Sequence, residues 1–210
     1  MIKLKSLLPE LTQKQKELKR DYLFRRTRLK SSNTIPSWNN IWNDLKNSDG
    51  YKNEYDAWAE LPDEYTDEEI EQKIYDEQEI RYEDIVGEYE SLNGDLCWRR
   101  MTLHSSVNPI TLPKLGIFWA TAESAAATHW GKFSPEYPFL VTYEGVIDLS
   151  IVDWPGTLYA RMSLETGDIE KEIRFLNNSR ILIKRVKISV RTPINKPQDE
   201  IYEINDWRRV

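Results

Sequence analysis

The stretch SLNGDLCWRRMTL, residues 91–103, is where this chain changes character. Its first part, Ser91 to Asp95, holds Asn93 and Gly94, residue types that supply turn conformations. Its second part, Leu96 to Leu103, reads as a short strand. Upstream the apolar residues recur at helical spacing. Downstream they come in short runs rich in β-formers. The break predicts an α+β fold, with a helical region at 1–95 and a strand-rich region at 96–210.

Working upstream, residues 66–92 form the most regular segment. Thr66 is placed to cap a helix, Glu69 follows three residues later as in a capping box, and the first turn is acidic. Ile70, Ile74 and, less regularly, Ile80 and Ile85 supply its apolar side. Trp38, Trp42, Leu45, Tyr55 and Trp58 predict short helices with aromatic anchors. Residues 31–40, SSNTIPSWNN, read as a linker. Residues 9–30 read as a helix with Leu11, Leu18, Tyr22 and Leu23 near one face.

Working downstream, LGIFWAT is a strand entered through Gly116, and AESAAATHW is an Ala-rich helix ended by Gly131. The run 138–154 is rich in β-formers and broken by Gly145. EIRFL and RILIKRVKISV flank the polar triplet NNS (177–179), which predicts a hairpin. No internal repeat is present.

Composition narrows the function classes. The chain has 210 residues, of which 40% are apolar and 30% charged. No apolar run approaches the roughly 18 residues of a membrane span. The apolar stretch near Met1 is cut by Pro9 and Glu10, too short for the core of a signal peptide. One cysteine, Cys97, and two histidines, His104 and His129, give neither an internal disulfide nor a zinc pattern. The expectation is a cytoplasmic protein with no metal and no membrane partner. Charge is uneven: residues 1–30 carry ten Lys/Arg against three Asp/Glu, and residues 44–95 carry nineteen acids against four bases. The basic segment invites a nucleic-acid reading, but a solvated helix face is favoured over it.

Three pieces of the second half bear on chemistry: CWRRM (97–101), GIFWATAESAAATHWG (116–131) and EKEIRF (170–175). In that order they resemble the arginine–serine–glutamate class of mono-ADP-ribosyltransferases. That family shows an aromatic-Arg pair on its first strand, a Ser/Thr strand followed by a helix, and a Glu-x-Glu. The resemblance spans about residues 96–190 and implies an NAD-binding domain at 96–210 that transfers ADP-ribose to a protein side chain. Carried over by position, Arg99 holds the NAD phosphates, a task that suits a planar guanidinium. Thr121 stands in the Ser/Thr motif, reduced here to Ala120-Thr121-Ala122. Trp119, or its neighbour Phe118, offers an aromatic face to nicotinamide. Glu172 stabilises the positive charge that builds on the ribose, and Glu170 orients the acceptor, expected to be arginine. The Lys/Asn/Ile-rich composition looks like that of bacteriophage proteins, which implies a host protein as acceptor.

Each residue also has a plainer reading. On one strand Arg99 and Arg100 point to opposite faces, so at most one lines a cleft. Thr121 can be a helix cap alone. If residues 170–172 are extended, Glu170 and Glu172 share a face, where Lys171 and Arg174 could make them ordinary surface. A non-catalytic interaction protein that keeps the fold is therefore the rival. Other chemistries find less support, with neither a Gly-x-x-x-x-Gly-Lys phosphate loop nor a Gly-x-Ser-x-Gly elbow in the sequence.

Overall fold

The computed structural model describes residues 27–60, 65–111, 115–127, 135–163, 171–176, 180–190 and 198–209. Most of the helix expected at 9–30 lies outside them, as do His129, Glu170 and the triplet 177–179. The helices are α1 (Trp38–Leu45), α2 (Asp49–Ala59), α3 (Asp67–Glu90), α4 (Glu123–Ala127) and α5 (Trp154–Ser163). The strands are β1 (Leu96–Leu103), β2 (Phe118–Ala120), β3 (Phe139–Val146), β4 (Glu172–Arg174), β5 (Arg180–Val190) and β6 (Gln198–Arg209). The fold is α+β, as the break at residue 95 predicts. Among the described residues no helix is long and apolar enough to cross a membrane.

Helix α3 starts as its sequence dictates. The Glu69 amide donates to Thr66 Oγ1 at 3.3 Å, and the Thr66 amide donates back to Glu69 Oε2 at 2.8 Å. Its buried side is Ile70, Ile74, Ile85 and Tyr89. Ile80 is 62% exposed instead. Ten residues from Ile70 is about 2.8 turns, which carries Ile80 off the stripe. In α1, Trp38, Ile41, Trp42 and Leu45 are buried at a spacing of three and four. The Trp38 ring meets Trp42, Tyr75 and Tyr82 at 5.4–5.6 Å between centroids.

The six strands form one antiparallel sheet in the order β4-β2-β1-β3-β5-β6. The expected hairpin of 172–176 with 180–190 does not form. Strand β4 pairs with β2, and β5 pairs with β3 and β6, so β2, β1 and β3 stand between them. Alternation records which face a residue takes, and any antiparallel neighbour satisfies it. On the core face lie Cys97, Trp119, Val141, Tyr143, Ile173 and Ile183. The other face carries α4 and, among others, Arg100 of β1, Thr142 and Glu144 of β3 and Lys187 of β5.

Helix α5 has no counterpart in the sequence reading, and all ten of its residues are buried. Asp153 precedes it, its carbonyl accepting from the Thr157 amide at 2.9 Å. Pro155 in the first turn lacks only a donor that would have no partner there. An Asp followed by x-Pro was the available signal. The same Asp153 carboxylate accepts from Ser31 Oγ at 2.9 Å and the Ser32 amide at 3.2 Å. The Ser32 carbonyl accepts from the Trp154 amide at 2.9 Å. Residues expected as a linker at 31–40 are thus a strap fastened to the start of α5, running into α1.

The helical region and the sheet share one hydrophobic cluster, in which Trp38, Ile74 and Tyr89 belong with Trp119, Leu158 and Ile173. Glycines report how tightly these layers meet. A Cβ on Gly50, in α2, would stand 2.6 Å from the Ser163 carbonyl oxygen at the end of α5. A Cβ on Gly87, exposed in α3, would meet nothing within 4 Å. Gly50→Ala is expected to destabilise by about 1–3 kcal/mol, outweighing a helix-propensity gain of up to ~1 kcal/mol. Gly87→Ala keeps that gain and is expected to stabilise by about 0.5–1 kcal/mol. Urea unfolding of both variants checks the pair, and equal shifts would contradict the packing described.

Candidate functional site

The three motif-bearing strands are consecutive in the sheet. Trp98 of β1 pairs with Ala120 of β2, and Ala120 pairs with Glu172 of β4, so the three form one row across the sheet. Along β3, β1 is paired over its whole length, from Leu96 to Leu103. Toward β2 the register holds only the Trp98–Ala120 pair. Beside that pair the Arg99 side chain bridges the strands, its Nη1 donating to the Phe118 carbonyl at 2.8 Å. Burial pulls the Arg99 pKa below its ordinary value, and the negative charge of Glu172 pushes it back. Arg99 lies on the core face with Cys97 and Met101, whereas Glu172 belongs to the row of Trp98 on the other face. The two side chains are coupled electrostatically across the opening between β1 and β2.

Thr121 is tied to the other end of this site. Its amide and its Oγ1 both donate to the Lys171 carbonyl, at 2.9 and 3.3 Å. It does not cap α4, which begins at Glu123 and whose Ala126 amide bonds back to the Ala122 carbonyl. Thr121 instead holds the residue that leads into Glu172. That residue, Lys171, has φ +46°, a left-handed conformation that a side chain with a Cβ rarely takes. The argument for Glu170 and Glu172 on one strand face needs residue 171 to be extended, and it is not. The strand begins at Glu172, so the period of two runs forward from it, and the same-face partner is Arg174.

The Glu172 carboxylate accepts from Arg174 Nε at 2.5 Å, with the two side chains 14% and 9% exposed. The Arg174 guanidinium lies over the Phe118 ring, 4.9 Å from its centre. Phe118 is therefore the aromatic residue on the Glu172 face. Trp119, expected to face nicotinamide, is a core residue at 3% exposure, its ring 6.2 Å from Phe175 and its Nε1 donating to the Gly116 carbonyl at 3.3 Å. Alternation fixes that the two aromatics take opposite faces. Which one goes inside is decided by the helices on the core face.

The backbone of Glu172 is anchored from the helical region. Tyr89 donates its hydroxyl to the Glu172 carbonyl at 2.6 Å and accepts from Arg161 Nη1 at 2.7 Å. Arg161, on α5, is 1% exposed. Its guanidinium also lies 3.3 Å from Glu88 and 5.2 Å from the centre of the Tyr89 ring. Burial drives the Tyr89 pKa up, and Arg161 pulls it down less strongly. From the other side, the Arg174 amide donates to Thr157 Oγ1 at 2.9 Å. Sequence reading missed Tyr89 and Arg161, and it named Arg174 only in the plainer reading, as a neighbour of the Glu pair. Arg161 was visible as the lone charge in an otherwise uncharged run, 154–163.

Tyr89→Phe would leave the Glu172 carbonyl and an Arg161 donor without this partner. The expected cost is about 1–3 kcal/mol, more than the ~1 kcal/mol of an average hydrogen bond, because one of the groups is a buried cation. Chemical denaturation measures it. A loss below a few tenths of a kcal/mol would mean that the hydroxyl anchors nothing.

The arrangement is a fixed carboxylate at the start of a short strand, with one guanidinium against it and a second coupled to it. Such a carboxylate can stabilise a cation that arrives or develops beside it. No family model, curated protein or solved structure matches the chain.

Proposed function

We propose that this protein is an NAD-dependent mono-ADP-ribosyltransferase whose acceptor is a protein side chain, arginine in the first instance. The observation that carries the reading is the strand order. The Arg-bearing, Thr-bearing and Glu-bearing strands come from residues 96–103, 118–120 and 172–174, and they lie side by side as β1, β2 and β4. In this reading Glu172 acts at the ribose. The bond between nicotinamide and the ribose carbon breaks, nicotinamide leaves with the electron pair, and the Glu172 carboxylate offsets the positive charge left on the sugar. An acceptor guanidinium nitrogen then bonds to that carbon and loses a proton, with Glu170 orienting it. Arg99, beside Phe118, carries the planar, permanently charged guanidinium that suits phosphate oxygens. Thr121 sets the entry to β4 and with it the position of Glu172. The reading places the activity in a cytoplasm, that of a host if the chain is phage-encoded, with a host protein as acceptor.

Incubation with NAD and an arginine-containing acceptor tests it. Nicotinamide release with labelling of the acceptor is the expected result, and neither above background would end the proposal. A second reading, a non-catalytic interaction protein, is favoured by the close Glu172–Arg174 pair, which already gives the carboxylate a cation. It predicts no nicotinamide release and capture of a partner through the helical region.

A further inference from the structure

Arg100 is the arginine of the 97–101 motif that the candidate site does not use. It stands on the sheet face opposite the core, one residue from Arg99, with Thr142 of β3 beside it and Lys187 of β5 beyond. These three residues, with Ser189 of β5 and with Glu123 and Ser124 of α4, line a cavity of about 340 Å³. Arg100 is half-buried, and its Nε is a buried donor with no hydrogen-bond partner among the described residues. The nearby carboxylate of Glu144 is engaged by Arg185 at 3.6 Å. Helix α4 packs its Ala125 and Ala126 with Ala120 and Trp98. That contact sets it over β1 and β2, so Glu172, on β4, lies on its far side.

The donor set selects a ligand. A guanidinium on β1 and an ammonium on β5, either side of β3, with three hydroxyls around them, match the oxygens of a tetrahedral anion carrying two charges. Glu123 at the rim repels an anion and accepts hydrogen bonds from hydroxyl groups. A bare phosphate uses the first set and is opposed by the second, whereas a phosphate ester of a sugar uses both. The volume is at the small end of ligand sites, enough for one such molecule. We propose that this cavity binds a phosphorylated sugar, with the phosphate between Arg100 and Lys187 and a sugar hydroxyl on Glu123. The proposal does not rest on the transferase reading, and its test involves no NAD.

Titration of the full chain with ribose 5-phosphate and with inorganic phosphate, at low ionic strength and followed by calorimetry, is the experiment. Ribose 5-phosphate is expected to saturate one site and to bind about tenfold tighter than inorganic phosphate, equivalent to ~1.4 kcal/mol. The double variant Arg100→Gln, Lys187→Gln is expected to lose at least about tenfold for both probes. Glu123→Gln is expected to erase the preference for the sugar, with inorganic phosphate bound as well as before or better. Lys52→Gln, an exposed cation on α2, is expected to change neither. If the double variant does not fold, Thr142→Val removes one hydroxyl and no charge, and severalfold weaker binding is expected. Absence of saturable binding by the unmodified chain would overturn the proposal. So would an affinity insensitive to the cavity variants, an equal loss in Lys52→Gln, or a sugar preference that survives Glu123→Gln.

Discussion

Glu172→Gln is expected to lower nicotinamide release from NAD by about 10²–10³, the cost typical of removing one fixed electrostatic partner from a transition state. The substitution keeps the shape and an acceptor for Arg174 Nε, and it removes the charge. It also leaves Arg174, whose side chain is 9% exposed, without its counter-ion. A drop in stability therefore accompanies any drop in rate, and the two must be separated. Arg174→Gln does so, because it breaks the same ion pair and leaves the carboxylate in place. The transferase reading expects Arg174→Gln to cost less activity than Glu172→Gln at comparable loss of stability. Equal activity losses would make the carboxylate a structural group, and full activity in Glu172→Gln would remove the mechanism. Glu170→Gln is expected to spare nicotinamide release and to reduce labelling of the acceptor. Both readouts are taken on each variant, with thermal unfolding alongside.

Removal of residues 1–95 is expected to abolish cooperative folding of the remainder. The reason is the shared core. Trp38, Ile41, Trp42, Leu45, Ile70, Ile74, Ile85 and Tyr89 are all buried in the cluster that also holds Trp119, Leu158 and Ile173. At about 1.5–3 kcal/mol for each large apolar side chain, these eight represent roughly 12–24 kcal/mol of burial. A whole domain is stable by only about 5–15 kcal/mol. Deletion would also strip α5 of partners on the helical side, including the Glu88 and Tyr89 contacts to the Arg161 guanidinium. Circular dichroism and a thermal melt of the 96–210 fragment check this. A sharp, reversible transition like that of the full chain would show that the sheet region folds alone, and that residues 1–95 are an appended unit.

Several features of the fold were legible one residue at a time. The reciprocal capping of Thr66 and Glu69, the apolar spacing of α1 and the β-formers of β1 and β3 are local patterns. They depend on neighbours two to four positions away, and the sequence states them directly. From them follow the break near residue 95 and the α+β class. The same local rule, applied to the Glu-x-Glu, went astray at one dihedral. It required an extended Lys171, and the chain turns left-handed there, under the two hydrogen bonds that Thr121 donates to the Lys171 carbonyl.

What only the tertiary structure decided is who meets whom. Helix α5 escaped notice because a helix buried on every side has no polar stripe, and so no period. The partner of β4 could not be read because a three-residue strand satisfies its alternation beside any neighbour. Its place next to β2 rests instead on anchors far away in sequence: Tyr89 on the Glu172 carbonyl and Thr157 on the Arg174 amide. Trp119 lies inside and Phe118 outside because α1, α3 and α5 cover one face of the sheet. Sequence by itself determined the elements whose energies are local. The pairing of β4 with β2, which brings Glu172 near Arg99, depends on contacts across the chain, which no short window of residues contains.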